Sequence, residues 1–123
     1  MGRLTYTQLL NTRGGIEADL TVARLSDDHF YIVTGTGFRT HDLAWIADHL
    51  PATGCTLRDV TEDWGTLSLM GPRARDRLAR VTGQPVGNAA FPFGHVREIE
   101  IAGVRLRALR ITYVGELGWE LHV

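Results

Sequence analysis

Asp19 and Tyr6 are the first residues whose types and spacing could do chemistry together. Apolar-alternating runs at residues 3–10 and 16–25 flank Thr12-Arg13-Gly14-Gly15, whose glycine pair supplies the positive φ that hairpin turns demand. If the loop holds an even number of residues, two or four, cross-strand partners sum to an odd number, and Tyr6 and Asp19 share a face. A phenol and a carboxylate side by side are groups of the kind that hold and move protons. Alternation is equally consistent with a carboxylate that only stays wet. Asp19 points away from the apolar face of Ile16, Ala18, Leu20 and Val22, and no base partner is visible in sequence.

Other reactive residue types are sparse. All 13 basic residues are Arg and Lys is absent, which excludes a Schiff-base lysine and a P-loop lysine. The single Cys55 can form neither an internal disulfide nor a multi-cysteine zinc site, and is expected to be an ordinary buried thiol. Histidines 29, 41, 49, 95 and 122 show no metal-ligand spacing, and period-two alternation puts His95 and Glu98 on opposite faces of a strand, so no metal is expected. Arg73-Ala74-Arg75-Asp76-Arg77 fans over more than one helix face and reads as a solvated surface. Gly35-Thr36-Gly37, between a strand and a helix, stands where a dinucleotide fingerprint would lie. Its third glycine position is Thr40, and a tight strand-to-helix turn explains the same residues.

The elements that must position these residues follow from periodicity. After the opening hairpin and a turn at Ser26-Asp27-Asp28, residues 29–34 are rich in β-formers. Thr40 is the expected N-cap of a helix that carries Leu43, Ile46, Ala47 and Leu50 as a core stripe and stops at Pro51. Residues 56–62 and 66–70 read as a second hairpin about Asp63-Trp64-Gly65. Pro72 is placed at the first position of a second helix with Ala74, Leu78 and Val81 on its apolar side and Gly83 at its end. A third hairpin, 95–101 and 104–113, turns at Ala102-Gly103, and a glycine-punctuated turn leads into a strand at 119–123. The order β-β-β-α-β-β-α-β-β lacks βα alternation, so the fold class is α+β: antiparallel sheets of hairpins with two helices. A terminal apolar strand without a partner suggests a fragment, residues 1–123 being a partial domain truncated at both ends.

With 123 residues, 44% hydrophobic and 22% charged, the chain has the size and composition of one globular unit with a real core. A net charge of −1 gives no footprint for nucleic acid or an anionic membrane. MGRLTYTQLL has no apolar h-region, and no run approaches a membrane span. These features predict a soluble, cytoplasmic, bacterial protein.

Two arrays change the weight of the isolated residues. The run from Tyr6 through Asn11, Gly14, Gly15 and Asp19 to Leu20, and Tyr113-Val114-Gly115-Glu116-Leu117-Gly118-Trp119-Glu120, resemble the folate-binding aminomethyltransferase family, which includes the T-protein of the glycine cleavage system. The resemblance spans essentially the whole chain. Its intervening segments, His41 to Ile46, Asp59 to Gly65 and Met70 to Arg75, look most like the C-terminal regions of dimethylglycine and sarcosine dehydrogenases. Gly35 stands where the T-protein pattern has an Asn, a departure shared with the dehydrogenase branch.

The resemblance implies a part of a tetrahydrofolate-binding fold. Asp19 would lie near the reactive folate nitrogens as the catalytic residue, Tyr6 and Tyr113 would line the pocket, and Glu120 would anchor the pterin. A carboxylate suits that anchor, since a ring N–H and an exocyclic amine present two donors it can accept together. On alternation alone Glu120 could simply face solvent between Trp119 and Leu121. The implied reaction takes a one-carbon unit from an iminium derived from an N-methylated glycine to tetrahydrofolate, giving 5,10-methylenetetrahydrofolate. FAD would belong to an upstream flavin domain of the parent protein and not to these residues. The rival readings are a glycine cleavage aminomethyltransferase, a non-catalytic folate-binding or interaction module, and a nucleotide site at Gly35 and Gly37.

Overall fold

A computed structural model describes residues 1–123 and gives two antiparallel sheets and two helices. Strands β1 (Leu4–Leu10), β2 (Ile16–Arg24) and β3 (Phe30–Thr34) form a three-stranded sheet in the order β1-β2-β3. A 3₁₀ turn at Thr36–Phe38 leads into α1 (Arg39–Asp48), and a second at Thr61–Asp63 precedes β4 (Thr66–Met70). Helix α2 (Ala74–Thr82) follows, then β5 (Val96–Ile101), β6 (Val104–Leu109) and β7 (Gly118–His122), giving a four-stranded sheet ordered β4-β7-β6-β5. The α+β class and the antiparallel pairing are those predicted.

The opening hairpin is closed by its own side chains. Asn11 Oδ1 accepts the backbone N–H groups of Arg13 at 3.0 Å and Gly15 at 2.9 Å, an Asx-type closure. Gly14 sits at φ +79°, a conformation that a side chain would strain. From Leu4 to Leu9 the partner numbers sum to an odd value, as the even-loop rule requires, and a one-residue irregularity between Leu9 and Leu10 then shifts the register. Ile16, expected on the apolar face, is consequently 63% exposed.

Strand β2 is covered on both sides. Ala18 and Leu20 are buried on the face that meets α1, and Thr21 and Ala23 are buried on the other. The second face, expected to be wet, is turned toward the four-stranded sheet, where Ala23, Val96 and Leu109 form a small shared core with Leu4, Tyr31 and Val33 around it. Backbone bonds from Leu4 to Gly94 and from Val96 to Gly2, each 2.8 Å, tie the sheets at that point. The main core lies on the far side of the four-stranded sheet, where Ala74 and Leu78 of α2 pack with Phe91, Ile99, Leu106, Ala108, Trp119 and Leu121.

Several local expectations are corrected. Residues 56–60 are irregular and 61–63 form a 3₁₀ turn, because Asp59 caps that turn through the Thr61 N–H at 2.9 Å and takes the segment out of any ladder. Helix α1 starts from Phe38, not Thr40, and its Leu43 and Ile46 are only half-buried because they face an open cleft; the side chain that α1 buries is Asp42. The N-cap of α2 is Arg73, with Pro72 outside the helix, and Val81 is 54% exposed. Strand β6 ends at Leu109, short of the residue 113 expected; the Arg110 backbone still bonds His95 and Gly94, while its side chain donates to Phe91 O and Asn88 Oδ1. Cys55 is exposed, contrary to the buried thiol expected, because its segment belongs to neither sheet.

Candidate functional site

The hairpin brings Tyr6 and Asp19 together. Tyr6 lies opposite Thr21 and Gln8 opposite Asp19, so the phenol reaches diagonally along one face and donates to Asp19 Oδ2 at 2.8 Å. Both side chains are open to solvent at the end of the sheet where the second covering layer stops. The bond to Asp19 raises the pKa of the Tyr6 phenol, with lesser contributions from desolvation and the Asp19 charge, so the phenol stays a proton donor at neutral pH. Asp19 Oδ1 makes no hydrogen bond within the chain.

Tyr113 lies in the loop between β6 and β7 and is 97% exposed. Glu120 is directly opposite Ser68 on β4 and Leu109 on β6. Leu109 packs against Ala23, so Glu120 faces the same inter-sheet space as the Asp19 side of β2. Its side chain is 20% exposed and its carboxylate makes no hydrogen bond, with the His122 ring Nε2 3.6 Å away. Glu120 is therefore neither a solvated surface acid nor a paired one. Asp19 with Tyr6 is one direct contact; Glu120 stands apart from that pair on the other sheet.

Sequence reasoning missed the surroundings of Glu120. His122, 2% exposed, shares its face at a spacing of two and accepts or donates at Nδ1 with the Tyr31 hydroxyl, 2.9 Å away. Tyr31 carries His122 edge-on at 5.5 Å and, on its ring face, the Arg107 guanidinium at 4.5 Å. The period-two signal Glu120-x-His122 is present in the sequence; the partners from β3 and β6 are not. Helix α1 holds a second polar chain. Buried Asp42 accepts from Thr34 Oγ1 and lies 2.9 Å from His41 Nδ1, whose Nε2 is 3.7 Å from Glu17.

Gly35 and Gly37 do not form a nucleotide cradle. Strand β3 is antiparallel to its neighbour, and the glycines enter a 3₁₀ turn ahead of α1, so the turn is not the first crossover of a βαβ unit.

Known proteins share this sequence along its whole length. The family model described as the GCVT N-terminal domain matches residues 1–123. A mitochondrial sarcosine dehydrogenase of Mus musculus is 40% identical over 99% of this chain and 15% of its own length. A mitochondrial dimethylglycine dehydrogenase of Rattus norvegicus is 35% identical over 99% of this chain and 14% of its own length. An aminomethyltransferase of a Synechococcus strain is 39% identical over 98% of this chain and 33% of its own length. The chain thus spans a minor part of the relatives it matches. The mammalian dehydrogenases are named as mitochondrial proteins, which overturns the expectation of a bacterial cytoplasmic protein. No helix is long and apolar enough to cross a membrane.

Proposed function

The chain belongs to the GCVT N-terminal domain family, whose members include folate-dependent aminomethyltransferases, and from that premise we propose that it is one part of a tetrahydrofolate-binding unit in a dimethylglycine or sarcosine dehydrogenase-like protein. In that reading a one-carbon unit passes from an N-methylglycine-derived iminium to tetrahydrofolate, giving 5,10-methylenetetrahydrofolate. The observation that carries it is the exposed Asp19 carboxylate held by Tyr6 at 2.8 Å, with one oxygen left free.

The residues suit a reduced folate. A pterin edge offers adjacent N–H donors, and Glu120 is a partly buried carboxylate with unfilled acceptor capacity. Bound folate would supply the nucleophilic nitrogen. Asp19 orients that nitrogen and takes its proton at the free Oδ1. Tyr6 fixes the carboxylate rotamer and, as a phenol kept protonated, holds Oδ2 so that one oxygen is presented. Tyr113 is the exposed aromatic face on which the ligand stacks. FAD belongs, in this reading, to a flavin domain elsewhere in the parent protein.

The test is carried out in the full-length protein. Asp19→Asn is expected to retain reduced-folate binding while lowering the yield of 5,10-methylenetetrahydrofolate by about 10²–10⁴-fold, the usual worth of a general base. Glu120→Gln is expected to weaken calorimetric binding of reduced folate by about 1–3 kcal/mol. Unchanged product yield in the first variant sinks the assignment of Asp19; unchanged affinity in the second sinks that of Glu120. A second reading, favoured by the identity to the Synechococcus aminomethyltransferase, gives the same residues a donor carried on an aminomethyl-lipoyl group. The two are separated by which donor yields product.

A further inference from the structure

The outer strands of the two sheets, β3 and β4, face each other across a cleft of about 780 Å³ that α1 and residues 57–63 close from one side. That volume lies in the range of small-molecule sites. Ile32, Leu43, Ile46, Leu57 and Val60 give the cleft apolar walls.

The charges that line it are settled, with one exception. Arg39 is held by Asp59 at 2.8 Å and by Glu62 at 2.6 Å, and Arg58 by Asp63 at 2.8 Å. Arg107, half-buried in the same wall, takes part in no ion pair, although Glu98 stands opposite it in register. Its Nε is buried without a hydrogen-bond partner. The guanidinium lies against the rings of Tyr31 at 4.5 Å and Trp64 at 4.6 Å, which are themselves neighbours with centroids 6.0 Å apart. The two rings form an aromatic corner that positions the guanidinium, and its N–H fork is the group whose geometry matches a carboxylate. Beside it His122, 2% exposed and also lining the cleft, keeps an Nε2 with no hydrogen-bond partner.

We propose that this cleft is a binding site for a small monocarboxylate with an apolar body, recognised by the Arg107 guanidinium beside Tyr31 and Trp64. A single negative charge is specified by the surroundings. Glu98 opposite Arg107, and Glu120 at 3.6 Å from His122 Nε2, oppose a dianion such as phosphate, whereas one carboxylate balances one guanidinium. The apolar walls receive the rest of the ligand. The site adjoins Glu120 through His122, and its test uses neither folate nor the Asp19 assignment.

The experiment follows the Arg Nε–Hε resonances of the isotopically labelled protein during titration with benzoate, with its neutral isostere benzamide, and with inorganic phosphate. Benzoate is expected to shift the Arg107 resonance saturably, and the other two are not. Arg107→Gln is expected to weaken benzoate binding by about 10–100-fold, the worth of a charge-assisted pair. Arg107→Lys keeps the charge and loses the fork, so it should weaken binding while preserving the fold; it decides the matter if the Gln variant does not fold. Equal binding of benzamide, tighter binding of phosphate, an unmoved Arg107 resonance, or full affinity in the Lys variant would each overturn the proposal.

Discussion

Helix α2 buries Ala74 and Leu78 against a sheet whose own side chains close around Trp119 and Phe91, whereas α1 buries one side chain, and that one is a carboxylate. The four-stranded half is held by apolar area removed from water, which is non-directional and tolerant of detail. The α1 side of the three-stranded half is held by particular polar partners: Thr34 and His41 on Asp42, Asp59 and Glu62 on Arg39. Such contacts are worth little where exposed and more where buried, and each depends on geometry. The difference teaches where chemistry can be housed. Asp19 and Tyr6 sit on the half with the thinner core, and Glu120 on the inward wall of the half with the thicker one.

The largest test of the contrast is truncation of the main core. Trp119→Ala should cost about 3–5 kcal/mol in denaturant unfolding, while Ile46→Ala on the half-buried face of α1 should cost less than about 1 kcal/mol. Equal losses would mean that α1 is packed as tightly as α2. Asp42→Ala comes next, with an expected loss of about 2–3 kcal/mol, since Thr34 and His41 lose their common acceptor. Hydrogen exchange should then accelerate in α1 and stay unchanged in α2. The smallest effect is confined to the loop. Thr61 holds the Asp59 carboxyl down at about 2 through its backbone N–H and hydroxyl, with Arg39 adding to it. A depressed acid stabilises above the ordinary carboxylate range and loses that contribution as pH falls through its folded pKa. The Thr61 amide resonance should therefore hold its position down to about pH 4 and move by about pH 2.

The Tyr6–Asp19 pairing is legible in the sequence because hairpin parity needs only the loop length, and the loop announces itself in Asn11, Gly14 and Gly15. The α+β class is legible for a similar reason, from hairpins that follow one another without βα alternation. The faces are not. The alternation of β2 marks Ala18 and Leu20 as buried but says nothing of a second sheet arriving over Thr21 and Ala23. The α1 stripe of Leu43 and Ile46 reads as core by spacing, yet the residue packed at its base is Asp42, whose acceptor role depends on Thr34 from the preceding strand. Residues 56–62 read as a strand by composition but form none, because capping by Asp59 outweighs the β propensity of Thr56, Leu57 and Val60. Tyr31, Arg107 and Trp64 lie far apart in sequence and meet only through the topology.

The outer edges of β3 and β4 carry a physical liability as well as an opening. Each presents a row of peptide N–H and C=O groups to which no strand of this chain is bonded, flanked by exposed Phe30, Ile32 and Leu67. Such rows are templates for any extended segment that reaches them. Handled in isolation, the chain is expected to self-associate edge to edge as its concentration rises, so its solubility is governed by how much of it is present and by how well those two rows are shielded, more than by its small net charge.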